Sequence, residues 1–325
     1  MQQPDVYDVI IVGLGPGAIT AAIYSYRKRV KTLLIGKDFG GAMLISGEIE
    51  NWPGEIHTDG IKLSEKFEQH VRKYCTDISC LDQSLVTKIE RATASGGAPL
   101  TSGEGNLFRV HNEHEKSYLS KTVIYATGRT PKKLGVPGEE QYRNRGVSYC
   151  AVCDGPLFGG KEVAVIGGGN SALEAVLMLT KIASHVTVVN RNPHFKGEEI
   201  YIQQLSKLPN VTVVANGVTT EIRGDGTFAS GIVVEDKQTQ KKQEFPAKGI
   251  FVEIGSLPIT DPVKDLGVTL TAYKDIIVNR NCETNIPGFY AIGDVTDVRD
   301  KQIVVAAGMG CTAALSAGDY LVRTS

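Results

Sequence analysis

The sequence predicts an α/β protein made of two Rossmann-like dinucleotide-binding domains, the second inserted into the first. The main observation is an internal repeat: Asp8–Ala18 and Glu162–Ala172 each read as a short apolar strand followed by G-x-G-x-x-A. An apolar-periodic helix is predicted after each turn, over Ala21–Tyr26 in the first copy and Leu173–Lys181 in the second. Each copy then continues into a second apolar strand, Thr32–Ile35 in the first and Val186–Val189 in the second. Strand, glycine turn, helix and strand in this order are typical of a nucleotide-binding unit.

Later strands of the two copies predict the domain boundaries. The apolar segments Thr122–Gly128 and Gly249–Gly255 each end in glycine, and the segments that follow, 129–133 and 256–262, contain proline and are typical of linkers. A chain of 325 residues is also long enough for two cores. We therefore predict an outer domain of residues 1–131 and 258–325 and an inserted domain of residues 132–257.

Each residue of the glycine turn has the same structural role in both copies. The first glycine permits a tight turn, the second lets the backbone approach a pyrophosphate, and the alanine lets the helix pack closely on the strand. These positions are Gly13, Gly15 and Ala18 in the first copy and Gly167, Gly169 and Ala172 in the second. The pyrophosphate would lie at the positive end of the following helix. The alternative to dinucleotide binding is a glycine-rich turn that holds no ligand. This alternative is stronger for the second copy than for the first.

Composition narrows the function classes. A formal net charge of −1 and a pI near 6.6 give no general attraction to nucleic acid or membranes. We expect no stretch long and apolar enough to span a membrane. The first residues run directly into a strand without the pattern of a signal peptide, so we expect a cytoplasmic protein.

The cysteines contain one pair with redox spacing, Cys150-x-x-Cys153, and Asp154 follows it directly. Two intervening residues let the sulfurs meet in a small ring, and Asp154 could exchange protons with the leaving thiolate. A zinc half-site is the alternative, but zinc needs a matching second pair, and His111-x-x-His114 lies in a polar stretch that we interpret as a solvated hairpin. Unrelated buried cysteines are the other alternative. Adjacent nucleotide units favour redox chemistry, and we predict no metal site.

The remaining cysteines do not form a disulfide framework. We interpret Cys75 and Cys80 as an incidental pair near a helix end, and Cys282 and Cys311 as core residues. Residues 94–106, rich in Gly, Ser and Thr, are predicted to form an exposed hairpin loop.

Over essentially its whole length the chain resembles the low-molecular-weight thioredoxin reductase family. The matching segments are Gly13–Tyr24, Gly40–Gly41, Glu50–Gly54, Ala126–Gly128, Cys150–Gly155, Gly167–Ala172, Gly293–Asp294 and Gln302–Leu321. The resemblance implies that the outer domain binds FAD, that the protein is a homodimer, and that the inner domain can rotate in some members. It also favours Cys153 as the cysteine that faces the flavin.

The resemblance also implies the cofactor residues. Asn51 would contact the flavin region, Asp294 the ribityl-phosphate side, and Gln302 would lie beside the ring system, where a helix N-terminus favours an anionic reduced flavin. The full predicted FAD set is Gly13, Gly15, Pro16, Gly17, Gly41, Asn51, Thr127, Gly128, Gly293, Asp294, Gln302 and Ile303. A possible second nucleotide would contact Gly167, Gly169, Asn170, Ser171, Arg191 and Lys196.

The chain departs from the family where NADPH would bind. The family's H-R-R-x-x-x-R is replaced by residues 190–196, in which only Arg191 survives and Lys196 is a partial substitute for the last arginine. A lysine does not reproduce the bidentate geometry of arginine on a 2′-phosphate, and Asn190 is not the acid that would accept from an NAD ribose. Near the flavin, Ala42 and Ile303 replace the family's glutamine and alanine. NADPH is therefore not the predicted donor.

Two other sources of electrons fit divergent members that this pattern resembles. Ferredoxin would need a basic face, for which Arg27–Arg29 with Lys31 is the candidate, although such a run is commonly a solvated helix end. A second FAD would need a flat apolar platform. The aromatic residues available for it are Tyr24, Tyr26, Phe39, Trp52 and Tyr149.

The predicted function is that of an FAD-dependent thiol/disulfide oxidoreductase. Electrons would pass from the flavin to the Cys150–Cys153 disulfide and then to a protein disulfide, with thioredoxin or a similar small protein as the partner. An NADPH-dependent thioredoxin reductase and a dithiol oxidase that uses oxygen are the alternatives, and a non-catalytic flavin sensor comes from another class. Hydrolase and metalloprotease motifs (G-x-S-x-G, H-E-x-x-H) are absent from the sequence.

Overall fold

The computed structural model describes residues 6–45, 48–49, 51–76, 80–93, 101–102, 105–149 and 151–324. The chain divides into two compact units, Met1–Thr130 with Leu257–Ser325, and Pro131–Ser256. We call them the outer unit and the inner unit. The divisions lie one residue from the boundaries expected from the sequence, while the assignment of cofactors to the units stays a prediction.

The outer unit is built on a seven-stranded sheet. Its strands are β1 (Val6–Val12), β2 (Thr32–Ile35), β5 (Leu81–Asp82), β6 (Val86–Arg91), β9 (Phe108–Asn112), β10 (Ser117–Tyr125) and β21 (Phe289–Ala291). Their order is β5-β2-β1-β10-β9-β6, with β21 also paired to β10. Strands β1, β2, β5, β10 and β21 run parallel, and β9 and β6 are antiparallel. Central strands are buried on both faces, so they are almost wholly apolar.

Two short hairpins and two boundary strands complete the β structure around this sheet. The hairpins are β3 (Glu48–Ile49) with β4 (Thr58–Asp59), and β7 (Thr101–Ser102) with β8 (Gly105–Asn106). The second hairpin lies where the sequence predicted one, although residues 94–100, 103 and 104 of that segment lie outside the described residues. The unit boundaries fall within β11 (Arg129–Pro131) and β20 (Ser256–Pro258).

Three helices cover the outer sheet: α1 (Pro16–Arg27), α2 (Gly60–Arg72) and α6 (Ile303–Thr324). Helix α1 begins directly at the glycine turn, earlier than predicted, because Pro16 suits a first helical position. Asp59 caps α2 by accepting from the Lys62 N–H at 2.8 Å.

Helices α1 and α6 pack closely because both present glycine at their contact. A Cβ at Gly310 would lie 2.2 Å from the carbonyl oxygen of Gly17. Among the described residues, α6 is one helix that is long and apolar enough to cross a membrane by length and composition, and 39% of its most apolar window is buried. The expectation that no segment reaches this length was wrong. A core helix passes the same test, and α6 packs on α1.

The described residues of the inner unit form two sheets and three α-helices. The strands are β12 (Val147–Ser148), β13 (Glu162–Ile166), β14 (His185–Asn190), β15 (Val211–Ala215), β16 (Gly217–Gly224), β17 (Ala229–Asp236), β18 (Lys242–Pro246) and β19 (Gly249–Val252). The helices are α3 (Ala151–Asp154), α4 (Asn170–Leu179) and α5 (Glu199–Leu205). One sheet is parallel, in the order β12-β19-β13-β14-β15, and the other is antiparallel, in the order β16-β17-β18. The three helices contribute to a core on one face of the parallel sheet, and the antiparallel sheet contributes to a core on the other face.

The structure corrects three local interpretations of the sequence. Cys75 and Cys80 are joined by a disulfide, with their Cα atoms 5.7 Å apart, so they are not an incidental pair. His111 and His114 do lie in the predicted hairpin, formed by β9 and β10, but the His111 ring nitrogen is 3.0 Å from the Glu90 carboxylate rather than free in solvent. Cys311 is only half-buried on α6, whereas Cys282 is buried as expected.

Candidate functional site

The first glycine turn lies at the carboxyl edge of the outer sheet. Gly13 follows β1 with φ +120°, and a Cβ there would lie 2.3 Å from the carbonyl oxygen of Ala126, which follows the neighbouring strand β10. Only glycine tolerates both the backbone conformation and this approach. A Cβ at Gly17 would lie 2.9 Å from the carbonyl oxygen of Ala306, so this glycine also lets α6 pack against the start of α1. The turn, α1 and α6 are thus held at one edge of the sheet.

Other predicted FAD residues collect at this same edge. A Cβ at Gly41 would lie 3.4 Å from the Cα of Gly15, and a Cβ at Gly293 would lie 3.2 Å from the Cβ of Ala306. The carboxyl ends of parallel strands form the ligand-binding edge of such a sheet, and a lining without side chains lets a pyrophosphate approach the backbone. The residues brought to this edge are Gly13, Gly15, Pro16, Gly17, Gly41, Thr127, Gly128, Gly293 and Asp294.

Asn51 and Gln302 meet in space although they lie far apart in the chain. The Asn51 Nδ2 donates to the Gln302 Oε1 at 3.2 Å. Ile303, the first residue of α6, packs against the small cluster of Met43, Ile49 and Leu63. Three residues predicted to surround the flavin ring are therefore adjacent, next to an apolar cluster that could exclude water from one side of a bound ring.

Asp294 lies in a charged setting that the sequence did not reveal. Burial raises the pKa of its carboxyl, and Lys301 and Arg129 partly oppose this rise. Arg129 Nη1 donates to the Asp275 Oδ1 at 2.5 Å and to the Asp294 carbonyl oxygen at 3.3 Å. Thr127, by contrast, uses its hydroxyl to donate to the Ile259 carbonyl at 2.9 Å, so its side chain holds the backbone of its own unit.

The redox segment lies in the inner unit. Cys150 lies outside the described residues, and of Cys153 only the backbone, within α3, is described. Asp154 ends α3 and is partly buried, and the turn that follows packs on α4, because a Cβ at Gly155 would lie 3.0 Å from Leu179. The cysteine pair and Asp154 as catalytic residues remain a prediction.

A buried carboxyl group supports the residue before Cys150. Glu139 is 2% exposed and accepts from the Tyr149 hydroxyl at 2.8 Å. It also accepts from the N–H groups of Leu134 and Gly135, each at 2.7 Å. Burial, together with the bond to Glu139, raises the pKa of the Tyr149 hydroxyl. The Tyr149 side chain, one residue before the redox segment, is thus held by a carboxyl group whose hydrogen bonds are satisfied.

A second acidic residue lies beside the start of α3. Glu253 follows β19, and its Oε1 accepts from the Ala151 N–H at 3.4 Å. Burial raises the pKa of Glu253 to about 7, an effect that the Ala151 N–H opposes and Glu174 reinforces. A Cβ at Gly167 would lie 2.1 Å from the Glu253 carbonyl oxygen, so this residue adjoins the second glycine turn as well.

The second glycine turn has the backbone conformation of a nucleotide-binding turn, but other residues of the chain hydrogen-bond to one side of it. Gly167 has φ +154°, and around Gly169 there is open space for a ligand. The loop after β14 folds onto the turn, with the Lys196 N–H donating to the Gly168 carbonyl at 2.7 Å. Asn170 is engaged through two hydrogen bonds with Glu198, of 2.7 and 3.0 Å. Among the residues predicted to bind a second nucleotide, Asn170 thus already uses its side chain in bonds with Glu198.

Of the residues expected to select a pyridine nucleotide, Asn190 is buried, whereas Arg191 and Lys196 are exposed. Asn190 is 2% exposed, and its Oδ1 accepts from the Asn192 N–H at 3.3 Å. Arg191 and Lys196 are exposed, as is Ser171 at the start of α4. The Asn190 side chain therefore turns back to its own loop.

The aromatic residues considered for a second flavin are mostly packed. Phe39 is buried, and the Tyr26 hydroxyl donates to the Cys80 carbonyl at 2.7 Å. Trp52 packs edge-on against Phe67 and lines an open surface pocket of about 430 Å³ formed by residues 51–56. Within the basic run, Arg27 ends α1, and Lys28 and Arg29 follow it at the surface, as expected for a solvated helix end.

Sequence reasoning missed four supporting residues: Glu139, Glu253, Arg129 and Asp275. Glu253 had a signal, because it is an acid at the end of an otherwise apolar strand. Arg129 directly follows Gly128 and could have been noticed, but its partner Asp275 lies 146 residues away and no local pattern indicates it.

Known proteins similar to this chain include two kinds of curated relative. It is 42% identical to the F subunit of alkyl hydroperoxide reductase in Pseudomonas putida over 321 residues, which are 99% of this chain and 59% of that protein. It is 40% identical to a protein named NADH dehydrogenase from Bacillus subtilis over 317 residues, 98% of this chain and 59% of that one. The chain thus spans about three fifths of the length of these relatives.

Solved structures cover the chain more evenly. Thioredoxin reductase from Lactococcus lactis is 36% identical with a TM-score of 0.81, covering 98% of this chain and 99% of that one. A ferredoxin-flavin thioredoxin reductase from Clostridium acetobutylicum is 28% identical with a TM-score of 0.51, covering 99% and 100%.

The family comparison agrees with the architecture at the outer sheet edge. The model of the pyridine nucleotide-disulphide oxidoreductases matches residues 7–310. The family implies FAD binding, and the glycine cradle of the first turn (Gly13, Gly15 and Gly17), in which the Cβ position of Gly15 has no neighbour nearer than 3.9 Å, fits that cofactor. The predicted α/β fold with dinucleotide-binding domains and the predicted class of flavin-dependent disulfide oxidoreductase are confirmed. The chain belongs to the pyridine nucleotide-disulphide oxidoreductase family.

Proposed function

We propose that this protein is a disulfide reductase in which the Cys150–Cys153 pair carries electrons from FAD to a disulfide of a small partner protein of thioredoxin type. The observation that carries the proposal is the C-x-x-C-D segment in the inner unit of a chain whose outer unit has a glycine cradle suited to FAD. The thioredoxin reductase relatives, similar over nearly the whole chain, support it.

The residues would act in a defined order. When bound, FAD would supply the two electrons that reduce the disulfide. One cysteine, as thiolate, then attacks the partner disulfide, a mixed disulfide forms, and the second cysteine resolves it and restores the Cys150–Cys153 bond. Asp154 would hold the proton that the departing thiolate of the partner takes up, and Cys153 would be the cysteine that faces the flavin.

We propose further that the donor is not NADPH. Among the residues that would hold a 2′-phosphate, Arg191 and Lys196 alone are basic, and both are exposed. Asn190 replaces the histidine that begins the family's basic motif, and its side chain accepts a hydrogen bond from its own loop. The relative named NADH dehydrogenase supports NADH as a donor, and the ferredoxin-flavin neighbour supports reduced ferredoxin or a second bound flavin.

A second candidate concerns the partner. The relatives named for alkyl hydroperoxide reductase support a role in a peroxide-reducing system, in which the final disulfide belongs to a peroxiredoxin. The same cysteine chemistry serves both partners. We propose a cytoplasmic homodimer in either case, and light scattering of the purified protein would test the dimer.

The donor experiment compares reduction of the protein-bound flavin under anaerobic conditions by NADPH, NADH and reduced ferredoxin. We expect NADPH to bleach the flavin absorbance far more slowly than the best donor. Rapid bleaching by NADPH would contradict the donor proposal and leave the disulfide chemistry intact. Oxygen consumption with small dithiols, measured alongside, would instead support a dithiol oxidase.

The partner experiment measures reduction of thioredoxin and of a peroxiredoxin by the same enzyme. Cys150→Ser and Cys153→Ser should each abolish turnover while the flavin stays bound, and Cys311→Ser is the matched control that should keep it. Turnover retained in either active-pair variant would overturn the proposed function.

A further inference from the structure

Glu253 is an ionisable group beside the redox segment that the proposed mechanism does not use. Its Oε1 accepts from the Ala151 N–H at 3.4 Å. That nitrogen is bonded to the carbonyl carbon of Cys150, so covalent bond lengths alone keep the Cys150 sulfur within about 5 Å of it. The Glu253 carboxyl therefore lies close enough for its charge to act on the thiol.

We propose that Glu253 is a positioning residue for the Cys150–Cys153 pair, whose carboxyl, held at the Ala151 N–H, changes charge with pH and so controls how readily the neighbouring thiol ionises. This inference rests on the proposed function, since it assumes that this pair is the one that cycles. It assigns to Glu253 an electrostatic role through its neighbour rather than contact with substrate.

The surroundings of Glu253 support a group that titrates near neutral pH. It follows the buried strand β19, and its backbone N–H continues the sheet by donating to the Ile166 carbonyl at 2.8 Å. Besides the Cys153 thiol itself, the titratable side chains on the two adjacent helices are Asp154 on α3 and Glu174 on α4, and both are acidic. Burial first, and then the charge of Glu174, raise the pKa of Glu253 to about 7, against the opposing Ala151 N–H.

The sign of the effect follows from like-charge repulsion. Below the raised pKa the Glu253 carboxyl is neutral and does not oppose a thiolate. Above it the carboxylate is negative, and a second negative charge nearby raises the thiol pKa. The fraction of thiolate therefore rises less steeply with pH than it would for an isolated thiol. As the pH rises, Glu253 also ionises, and its negative charge opposes ionisation of the thiol.

The test uses the whole protein reduced by excess dithiothreitol, which breaks the Cys150–Cys153 disulfide, supplies two electrons and two protons, and becomes its own cyclic disulfide. After anaerobic removal of the reductant, the rate of alkylation by iodoacetamide is followed at each cysteine by peptide mass spectrometry over a range of pH. Cys282 is an internal reference, because burial raises its thiol pKa to about 11 and should keep it slow.

Three variants separate the electrostatic role from a structural one. In Glu253→Gln an amide oxygen can still accept from Ala151, but the charge is absent. We expect a single-ionisation profile that reacts about threefold faster or more than the wild type just above pH 7 and equally well below it. In Glu253→Ala both the charge and the hydrogen bond are lost. In Glu174→Gln the inflection due to Glu253 should move to lower pH.

Two outcomes overturn the proposal: a Glu253→Gln profile that coincides with the wild type while Glu253→Ala differs, or an inflection that stays unchanged in Glu174→Gln. Neither depends on the electron donor. If Cys150→Ser and Cys153→Ser keep full turnover, the proposed function fails instead, and the alkylation profiles show whether the Glu253 effect is nevertheless present.

Discussion

The Tyr149 hydroxyl donates to the buried Glu139 carboxyl at 2.8 Å, directly before the first cysteine of the redox pair. Glu139 also accepts from the Leu134 and Gly135 N–H groups, so all three bonds converge on one side chain. The residue directly before the redox segment is thus held by polar contacts inside the inner unit. These contacts also supply the hydrogen bonds that a buried carboxyl group needs.

The first prediction tests this contact through stability. Tyr149→Phe should lower the free energy of unfolding by about 2 kcal/mol, since one hydrogen bond to a carboxyl is lost. Glu139→Gln should cost more, because an amide group would face an N–H donor. Urea unfolding followed by circular dichroism measures both. Equal stability of Glu139→Gln and the wild type would show that the charge of Glu139 and its bond from the Gly135 N–H contribute nothing.

The second prediction concerns the contact between α1 and α6. Gly310→Ala would place a Cβ 2.2 Å from the Gly17 carbonyl oxygen, so the helices must separate. We expect a loss of about 3 kcal/mol, as for overpacked cores, together with weaker retention of FAD, since Gly17 lies in the cradle.

Gly308→Ala is the matched control on the same helix, because nothing lies within 4 Å of its Cβ position. It should be neutral or stabilise by up to about 1 kcal/mol through helix propensity. Thermal unfolding and the ratio of flavin to protein after gel filtration measure the pair of variants. Similar behaviour of the two would contradict the close packing.

The third prediction concerns the disulfide between Cys75 and Cys80. Protein purified without reductant and denatured should expose only the thiols of Cys282 and Cys311 to a thiol reagent when the redox pair is also oxidised. Cys75→Ser with Cys80→Ser should keep disulfide-reductase turnover and lose about 2 kcal/mol of stability, the value expected for closing a short loop. Reactive Cys75 in the untreated protein would contradict this bond.

The fourth prediction concerns the ion pair of Arg129 and Asp275, whose side chains are 18% and 14% exposed. Arg129→Met leaves Asp275 without this partner in a mostly buried place and should cost about 2 to 3 kcal/mol. Asp275→Asn should cost less, since an amide oxygen can still accept from the guanidinium. Urea unfolding measures the free energy of unfolding of both variants. A larger decrease in Asp275→Asn than in Arg129→Met would contradict this prediction.

The repeat made the architecture readable from the sequence. Strand Thr32–Ile35 has the bounds that its apolar run indicated, and the helices after both turns exist, because apolar period and glycine spacing are local properties. The helix starts were less accurate: α1 begins at Pro16 and α4 at Asn170, since the turn itself supplies the first helical residues. Strand β19 ends at Val252, before the predicted glycine.

Pairings between distant residues were beyond sequence reasoning. Nothing local shows that Asn51 meets Gln302, or that Arg129 meets Asp275, because these contacts depend on how the chain returns to one sheet edge. The disulfide of Cys75 and Cys80 was missed because four intervening residues are not a recognised redox spacing. The apolar character of α6 was also underestimated, since its small residues do not read as a continuous apolar run.

The proposed electron path from flavin to disulfide is tested most directly by an anaerobic reductive titration of the FAD-bound protein in a Cys75→Ser and Cys80→Ser background. We predict uptake of two electrons by the flavin and two more by the Cys150–Cys153 disulfide, with the second pair lost when Cys153 is replaced by serine. Uptake of two electrons in both proteins would show that the cysteines do not form a redox couple, and would contradict the proposed path.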